Sequence, residues 1–250
     1  LHNVSIMKNM QIGIGDHVMV YKANMIIPQI AENLTKSGNL EIPCKCPACG
    51  GATQIQKLND VESLYCTNAV CPAKKVKAFS LFVSRDALNI EGLSEATLEK
   101  FIAKGFINSY SDIFHLDRYA DEIMSMEGFG EKSYVNLQKS VDKAREVALP
   151  KLIYGLGIAN IGLANAKVIC KEFHYDIEKL MNLTEEDLNV VSGIGPVIAK
   201  AYVEYFADDK CVEELKKLLE ELTIPQEELN TEAQIFENMV FVITGSVDHF

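Results

Sequence analysis

Two pairs of cysteines carry the first chemistry that this sequence suggests. Cys46-Pro-Ala-Cys49 places two thiolates two residues apart, close enough to reach one ion. Gly50, next in line, tolerates the left-handed turn that aims backbone amides at sulfur. After sixteen intervening residues, Cys66 and Cys71 supply a second pair across a four-residue gap. Four sulfur ligands fill a tetrahedron and leave no position open for water, so the set predicts a structural Zn²⁺ site rather than a catalytic one. Disulfides are the competing use, but no secretory signal precedes them. A rubredoxin-like iron centre would have two matching knuckles, and a deaminase zinc would need a His-x-Glu before Pro-Cys-x-x-Cys. Cys44 and Cys49 could also pair with the distal two; the tight knuckle closed by Gly50 favours Cys46. Cys170 and Cys211 sit in helical sequence and are read as packing.

A second chemistry repeats along the chain. Four corners carry a Gly-apolar-Gly pattern or a near version: Gly92-Leu93-Ser94, Gly128-Phe129-Gly130, Asn160-Ile161-Gly162 and Gly193-Ile194-Gly195. Their first residues are 36, 32 and 33 positions apart, an internal repeat of solenoid-like length. Each precedes an amphipathic stretch. Glycines let the backbone turn sharply with no side chain in the way. Amides of the corner and of the next helix's first turn then point outward as unpaired donors. With a helix dipole behind them, they suit a phosphate, and such contacts set register on a duplex without reading bases. Candidate DNA contacts are therefore Gly92, Ser94, Gly128, Gly130, Asn160, Gly162, Gly193 and Gly195, with Lys132 and Lys22 as charged additions. The apolar middle residues would plug the space between helices. Tetratricopeptide and ankyrin repeats have similar periods, but their signatures are absent. The alternative use of such a rod is a zinc-stapled scaffold that binds proteins. A base-excision glycosylase would need an acid in a pocket after the hairpin. The nearest acids, Asp208 and Asp209, fall at an exposed helix end.

The elements that position these groups follow from pattern. Residues 1–35 read as strands, with a turn at Gly13-Ile14-Gly15-Asp16 and two apolar runs after it, too few to close a sheet alone. They predict the tail of a β domain. Helices are expected at Glu95–Lys104 with Gly105 as a left-handed cap, Lys132–Leu149 stopped by Pro150, Ala164–Phe173, Pro196–Phe206 and 207–222. A linker over 224–237 precedes the β-branched run MVFVITGS. The three lysines of Ala73-Lys-Lys-Val-Lys77 and Arg85 form the densest basic patch.

Charge is divided unevenly. The 250 residues carry −11 overall, but residues 176–250 hold 17 acids against 5 lysines, while residues 1–175 stand at +1. A duplex could meet the front and middle without an opposing field, though no strong basic footprint draws it in. No apolar run is long enough to span a membrane, so no membrane partner is expected, and seven cysteines without a signal predict a reducing cytoplasm. Leu1 rather than Met leads us to expect a piece of a longer chain.

The order of these parts resembles the C-terminal half of bacterial NAD-dependent DNA ligases. The likeness is carried by LHN, IGDHVMVYKANMIIPQI, CPACG with CTNAVCPAK, FVSRDALNIEGL, MEGFGEKS, LIYGLGIANIGLANA, SGIGP and FVITGS, and it covers essentially the whole chain. It implies a multidomain, mainly α protein. The parts would be the end of an oligonucleotide-binding (OB) barrel over 1–42, a four-cysteine zinc finger over 43–78 and a helix-hairpin-helix domain of four hairpins over 79–222. A linker over 223–237 and the first strand of a truncated BRCT domain over 238–250 would follow. The family seals nicks in duplex DNA during replication and repair: an enzyme lysine takes AMP from NAD⁺ and passes it to the 5′-phosphate, and the 3′-hydroxyl displaces it. The resemblance thus implies nicked duplex as partner, structural zinc here, and NAD⁺ and Mg²⁺ bound by a nucleotidyltransferase domain that precedes this segment. The Lys-x-Asp-Gly motif does not occur, so no catalytic residue is assigned and the segment alone is expected to be inactive. Ala23-Asn24-Met25 stands where the family has Ala-Gly-Asp, and Ser94 where it has glycine.

Overall fold

The computed structural model describes residues 3–58 and 60–225. The MVFVITGS run and most of the expected linker lie outside them. Two compact units emerge: one up to Arg145 together with Tyr154–Gly157, the other Glu146–Ile153 with the chain from Ile158 onward.

The first unit begins with a departure from the strand pattern expected at residues 1–35. Val4–Asn9 is a helix (α1), started by Asn3, whose side chain accepts the Ile6 amide at 2.9 Å. An Asn in the extended conformation at this place satisfies a first-turn donor, and that outweighs the β-branched residues following it. Strands β1 (Val18–Ala23) and β2 (Ile27–Asn33) then pair antiparallel, joined by a turn in which Asn24 and Met25 are left-handed, the mirror-image geometry that suits a tight hairpin. Asn33 is buried and ties the hairpin down: its amide donates to the Met10 and Gln11 carbonyls and to Asp16 Oδ2, at 3.1, 3.0 and 2.7 Å. A second antiparallel pair, β3 (Thr53–Leu58) and β4 (Val61–Cys66), is fastened to α1 through Glu62. The Glu62 amide donates to Ser5 Oγ at 2.7 Å, and its carboxylate meets Lys8 at 2.6 Å.

Helix α2 (Pro72–Phe82) starts from Cys71 and leads into α3 (Glu95–Ala103). At its end Gly105 is left-handed, the Phe106 amide reaches the Phe101 carbonyl, and the two rings stand 5.6 Å apart, as the glycine and the aromatic after it led us to expect. A 3₁₀ stretch (Ser111–Tyr119), α4 (Ala120–Met124) and α5 (Glu131–Ala144) complete the unit. Phe82, Phe101, Phe114, Leu98, Ile113 and Leu137 form its buried centre. Arg145 closes α5 by donating to the Phe114 carbonyl at 2.8 Å and lying over that ring.

Helix α5 ends at Ala144, not at Leu149. The chain there turns to pair with Thr223, the Val147 amide donating to its carbonyl, and α6 (Leu149–Gly155) follows. Pro150 opens a helix instead of stopping one, because a first-turn position needs no amide. The second unit holds α7 (Leu163–Glu172), α8 (Ile177–Met181), α9 (Glu185–Asn189), α10 (Pro196–Phe206) and α11 (Asp209–Glu221). Its core gathers Leu152, Ile169, Cys170, Leu180, Leu188 and Tyr202, whose hydroxyl donates to the Leu180 carbonyl at 3.2 Å. No helix among the described residues is long and apolar enough to cross a membrane.

Candidate metal centre and nucleic-acid interface

The sulfurs of Cys46, Cys49, Cys66 and Cys71 lie within 4.8 Å of one another, and Cys44, exposed, is not in the set. Two of the separations are 4.0 Å (Cys46 to Cys71) and 3.5 Å (Cys49 to Cys66). They bracket the edge of about 3.8 Å that a tetrahedron needs when metal–sulfur bonds are about 2.3 Å. The donor set is all sulfur, with no carboxylate or imidazole, and can hold a metal ion.

Local chain geometry makes the cluster. The Gly50 amide donates to the Cys46 carbonyl and the Cys46 amide to the Gly51 carbonyl, both at 2.8 Å, with Gly50 left-handed. A Cβ at Gly51 would stand 3.3 Å from the Cys49 sulfur and 3.2 Å from Asn68 Cβ. The Gly51 amide, and after it the Asn68 side chain, pull the Cys49 thiol down to about 6. Burial pushes Cys66 up to about 11. The two neighbouring thiols are thus pushed in opposite directions, and an ion bound there would take both as thiolates.

The corners share one backbone form. Their first residues, Gly92, Gly128, Asn160 and Gly193, all have positive φ, from +64° at Asn160 to +90° at Gly92. In the last three, the middle residue's amide donates to the carbonyl three residues earlier: Phe129 to Met126, Ile161 to Ile158, Ile194 to Val191. Leu93, Ile161 and Ile194 are buried, and Phe129 is half-buried against Phe101 at 5.7 Å between rings. The third residues then cap α3, α5, α7 and α10 in extended conformations.

Gly130, Gly162 and Gly195 are extended, so any residue could adopt their backbone, and a Cβ built on each meets nothing within 4 Å. None receives a side-chain cap. Folding therefore does not require glycine at these three places, and no side chain covers the first-turn amides at these helix starts; α10 offers fewest, because Pro196 has no amide and that of Ile198 returns to the Gly195 carbonyl. Ser94 differs: its hydroxyl accepts the Thr97 amide at 3.2 Å. Lys132 is exposed in the first turn of α5, and Lys22 is exposed on β1 opposite Pro28.

Within the basic patch, Lys77 pairs with Glu95 at 2.8 Å, and Lys75 reaches Asn108 and lies over the Phe79 ring. Asp208 spends its side chain on the Lys210 amide as the cap of α11. Lys100 escaped the sequence reading; its ammonium donates to the Glu127 carbonyl at 3.4 Å, beside the second corner. Only the folding back of α3 brings it there, and spacing gives no sign of that.

The helix-hairpin-helix motif family matches residues 151–215, taking in the third and fourth corners. Over all 250 residues the chain is 57% identical to a DNA ligase of Lachnoclostridium phytofermentans and 50% identical to one of Ruminiclostridium cellulolyticum. A DNA ligase of Thermosipho africanus is 36% identical over 257 aligned positions. The whole chain is covered in each case, and it spans 38% of the length of each of these relatives.

Proposed function

We propose that this chain is the DNA-clamping portion of an NAD-dependent DNA ligase. The observation that carries it is the set of Gly130, Gly162 and Gly195, which neither backbone conformation nor packing requires and which leave uncapped helix starts open to an anion. The full-length likeness to proteins named DNA ligase supports the same reading. The corners would grip phosphates of nicked duplex with little sequence preference, and Lys132 and Lys22 would add charge.

The four-sulfur set favours Zn²⁺ over harder ions. Bound there, zinc would cross-link β3–β4 to the start of α2; it supplies folding energy and no catalysis. The β1–β2 hairpin exposes Met19, Val20, Tyr21 and Ile27, and lines a cavity with α1 through Ile6, Met10, Val18 and Ile30. Such a two-sided apolar ribbon fits the end of an OB barrel. Adenylation by NAD⁺ with Mg²⁺ would fall to a nucleotidyltransferase domain outside this segment, and residues 238–250 would open a BRCT domain. Replication and repair in the bacterial cytoplasm, at the nucleoid, would be its setting.

Titration of a labelled nicked duplex with the zinc-loaded chain tests this. Affinity should fall steeply as salt rises, with a slope that counts the phosphates neutralised. Incubation with NAD⁺ should leave no adduct. Salt-independent affinity, or none, together with capture of proteins by the same surface, would replace the clamp with a protein scaffold.

A further inference from the structure

The four corners differ in who uses their donors. At Gly92 a Cβ would meet Leu137 of α5, with atoms at 3.5, 3.6 and 3.8 Å, whereas nothing lies within 4 Å at Gly128, Gly130, Gly162, Gly193 or Gly195. The amide of Glu91, just before the corner, donates to Ser140 Oγ of α5 at 2.8 Å. Leu93 is 4% exposed. On the far side, Ser94 Oγ accepts the Thr97 amide and lies 2.9 Å from Thr97 Oγ1, so one first-turn donor is already satisfied. Glu95, at the first helical position, adds an acidic residue to the first turn and pairs with Lys77. Glu131 occupies the equivalent place at the second corner, so charge alone does not separate the two; the cap and the packing do.

We infer that the first corner is an internal brace that pins the turn before α3 against α5 through Glu91 and Gly92 and takes no phosphate, leaving duplex contacts to the other three. Its backbone keeps the repeat's shape, while its glycine faces a leucine and its serine serves its own helix. The inference rests on the clamp reading. It also gives the corner an indirect part in that clamp, because α5 is the helix that the second corner opens.

The test uses the full zinc-loaded chain and a fluorescein-labelled nicked duplex. Ser94→Asp keeps a capping oxygen and adds negative charge where a phosphate would sit, and Gly130→Asp introduces both a capping oxygen and the charge at the second corner. S94D should bind within about two-fold of the unsubstituted chain, while G130D loses about ten-fold or more and one unit of salt slope. Ser94→Ala should lower Tm by about 2–4 °C with affinity unchanged well below the transition. S94D losing as much as G130D, or S94A weakening binding at constant Tm, overturns the brace while leaving the clamp standing. An unsubstituted chain that binds no duplex overturns both.

Discussion

Cys49 and Cys66 bring their sulfurs to 3.5 Å, yet their surroundings drive the two thiols in opposite directions. Cys49 receives the Gly51 amide and sits near 6, while burial lifts Cys66 to about 11. In the metal-free chain at neutral pH, Cys49 should therefore be alkylated well before Cys66. Exposed Cys44 labels in either state and serves as reference. Bound zinc should protect Cys46, Cys49, Cys66 and Cys71 together. Peptide mapping after a short iodoacetamide pulse decides it; Cys66 reacting first would refute the assignment.

Metal removal should be felt beyond the cysteines. Strand β4 carries Glu62, which holds α1 through Ser5 and Lys8, and it ends at Cys66, one of the four clustered cysteines. Cys71→Ser should cost roughly 2 kcal/mol or more. Hydrogen exchange should speed up over 44–71 and in α1. A melting profile unchanged after complete chelation would contradict this.

Asn33→Ala removes one donor group from three acceptors, two of them backbone carbonyls. The cost should be about 2–3 kcal/mol, with faster exchange in β1 and β2. The same knot gives an acid sensitivity. The Ser37 hydroxyl holds the Asp16 carboxyl below its ordinary value, helped by the Asn33 side chain and the Gly13 amide and opposed by desolvation. A carboxyl lowered on folding stabilises above its unfolded value near 3.8, and that contribution fades as pH falls through the lowered one. Asp16→Asn should flatten the acid limb of the hairpin's melting curve, read by NMR between pH 5 and pH 2; an unaltered limb would dismiss the knot as its source.

Two neighbouring glycines should respond differently to the same substitution. Gly193 has φ +84°, so Gly193→Ala should cost about 1–2 kcal/mol of stability. Gly195 is extended with open space beside it, so Gly195→Ala should leave Tm within about 1–2 °C while duplex affinity drops several-fold. Equal Tm losses would show that position 195 serves the fold instead of a partner.

Arg145 donates to the Phe114 carbonyl and lies 5.2 Å from the centre of that ring. Arg145→Lys keeps the charge but loses the flat, forked donor set, so it should cost about 1 kcal/mol or more, close to Arg145→Ala. Denaturant titration of both variants checks this; full recovery by lysine would reduce the contact to charge alone.

The clustering of the four cysteines and the shape of the four corners were legible because each depends on local spacing: a two-residue knuckle, a left-handed glycine, a helix start. The cap at Gly105 was legible for the same reason. Residues 4–9 were misread because Val4 and Ile6 favour strands, while the deciding feature was the single side chain of Asn3 turning back on Ile6. Pro150 was read as a stop, since its use as a start depends on Thr223 drawing the preceding backbone aside. The Leu137–Gly92 contact and the pairing of Lys77 with Glu95 join positions 45 and 18 residues apart, and no local pattern reports them.

Cys71 has two roles, since its sulfur completes the cluster and its backbone is the residue from which α2 departs. A metal held by the cluster would therefore fix the origin of that helix through Cys71, where no side chain makes a capping hydrogen bond and Pro72 alone marks the start. Metal content and the phase of α2's first turn would then become one variable: a population short of the ion would show a blurred helix boundary rather than a merely looser loop.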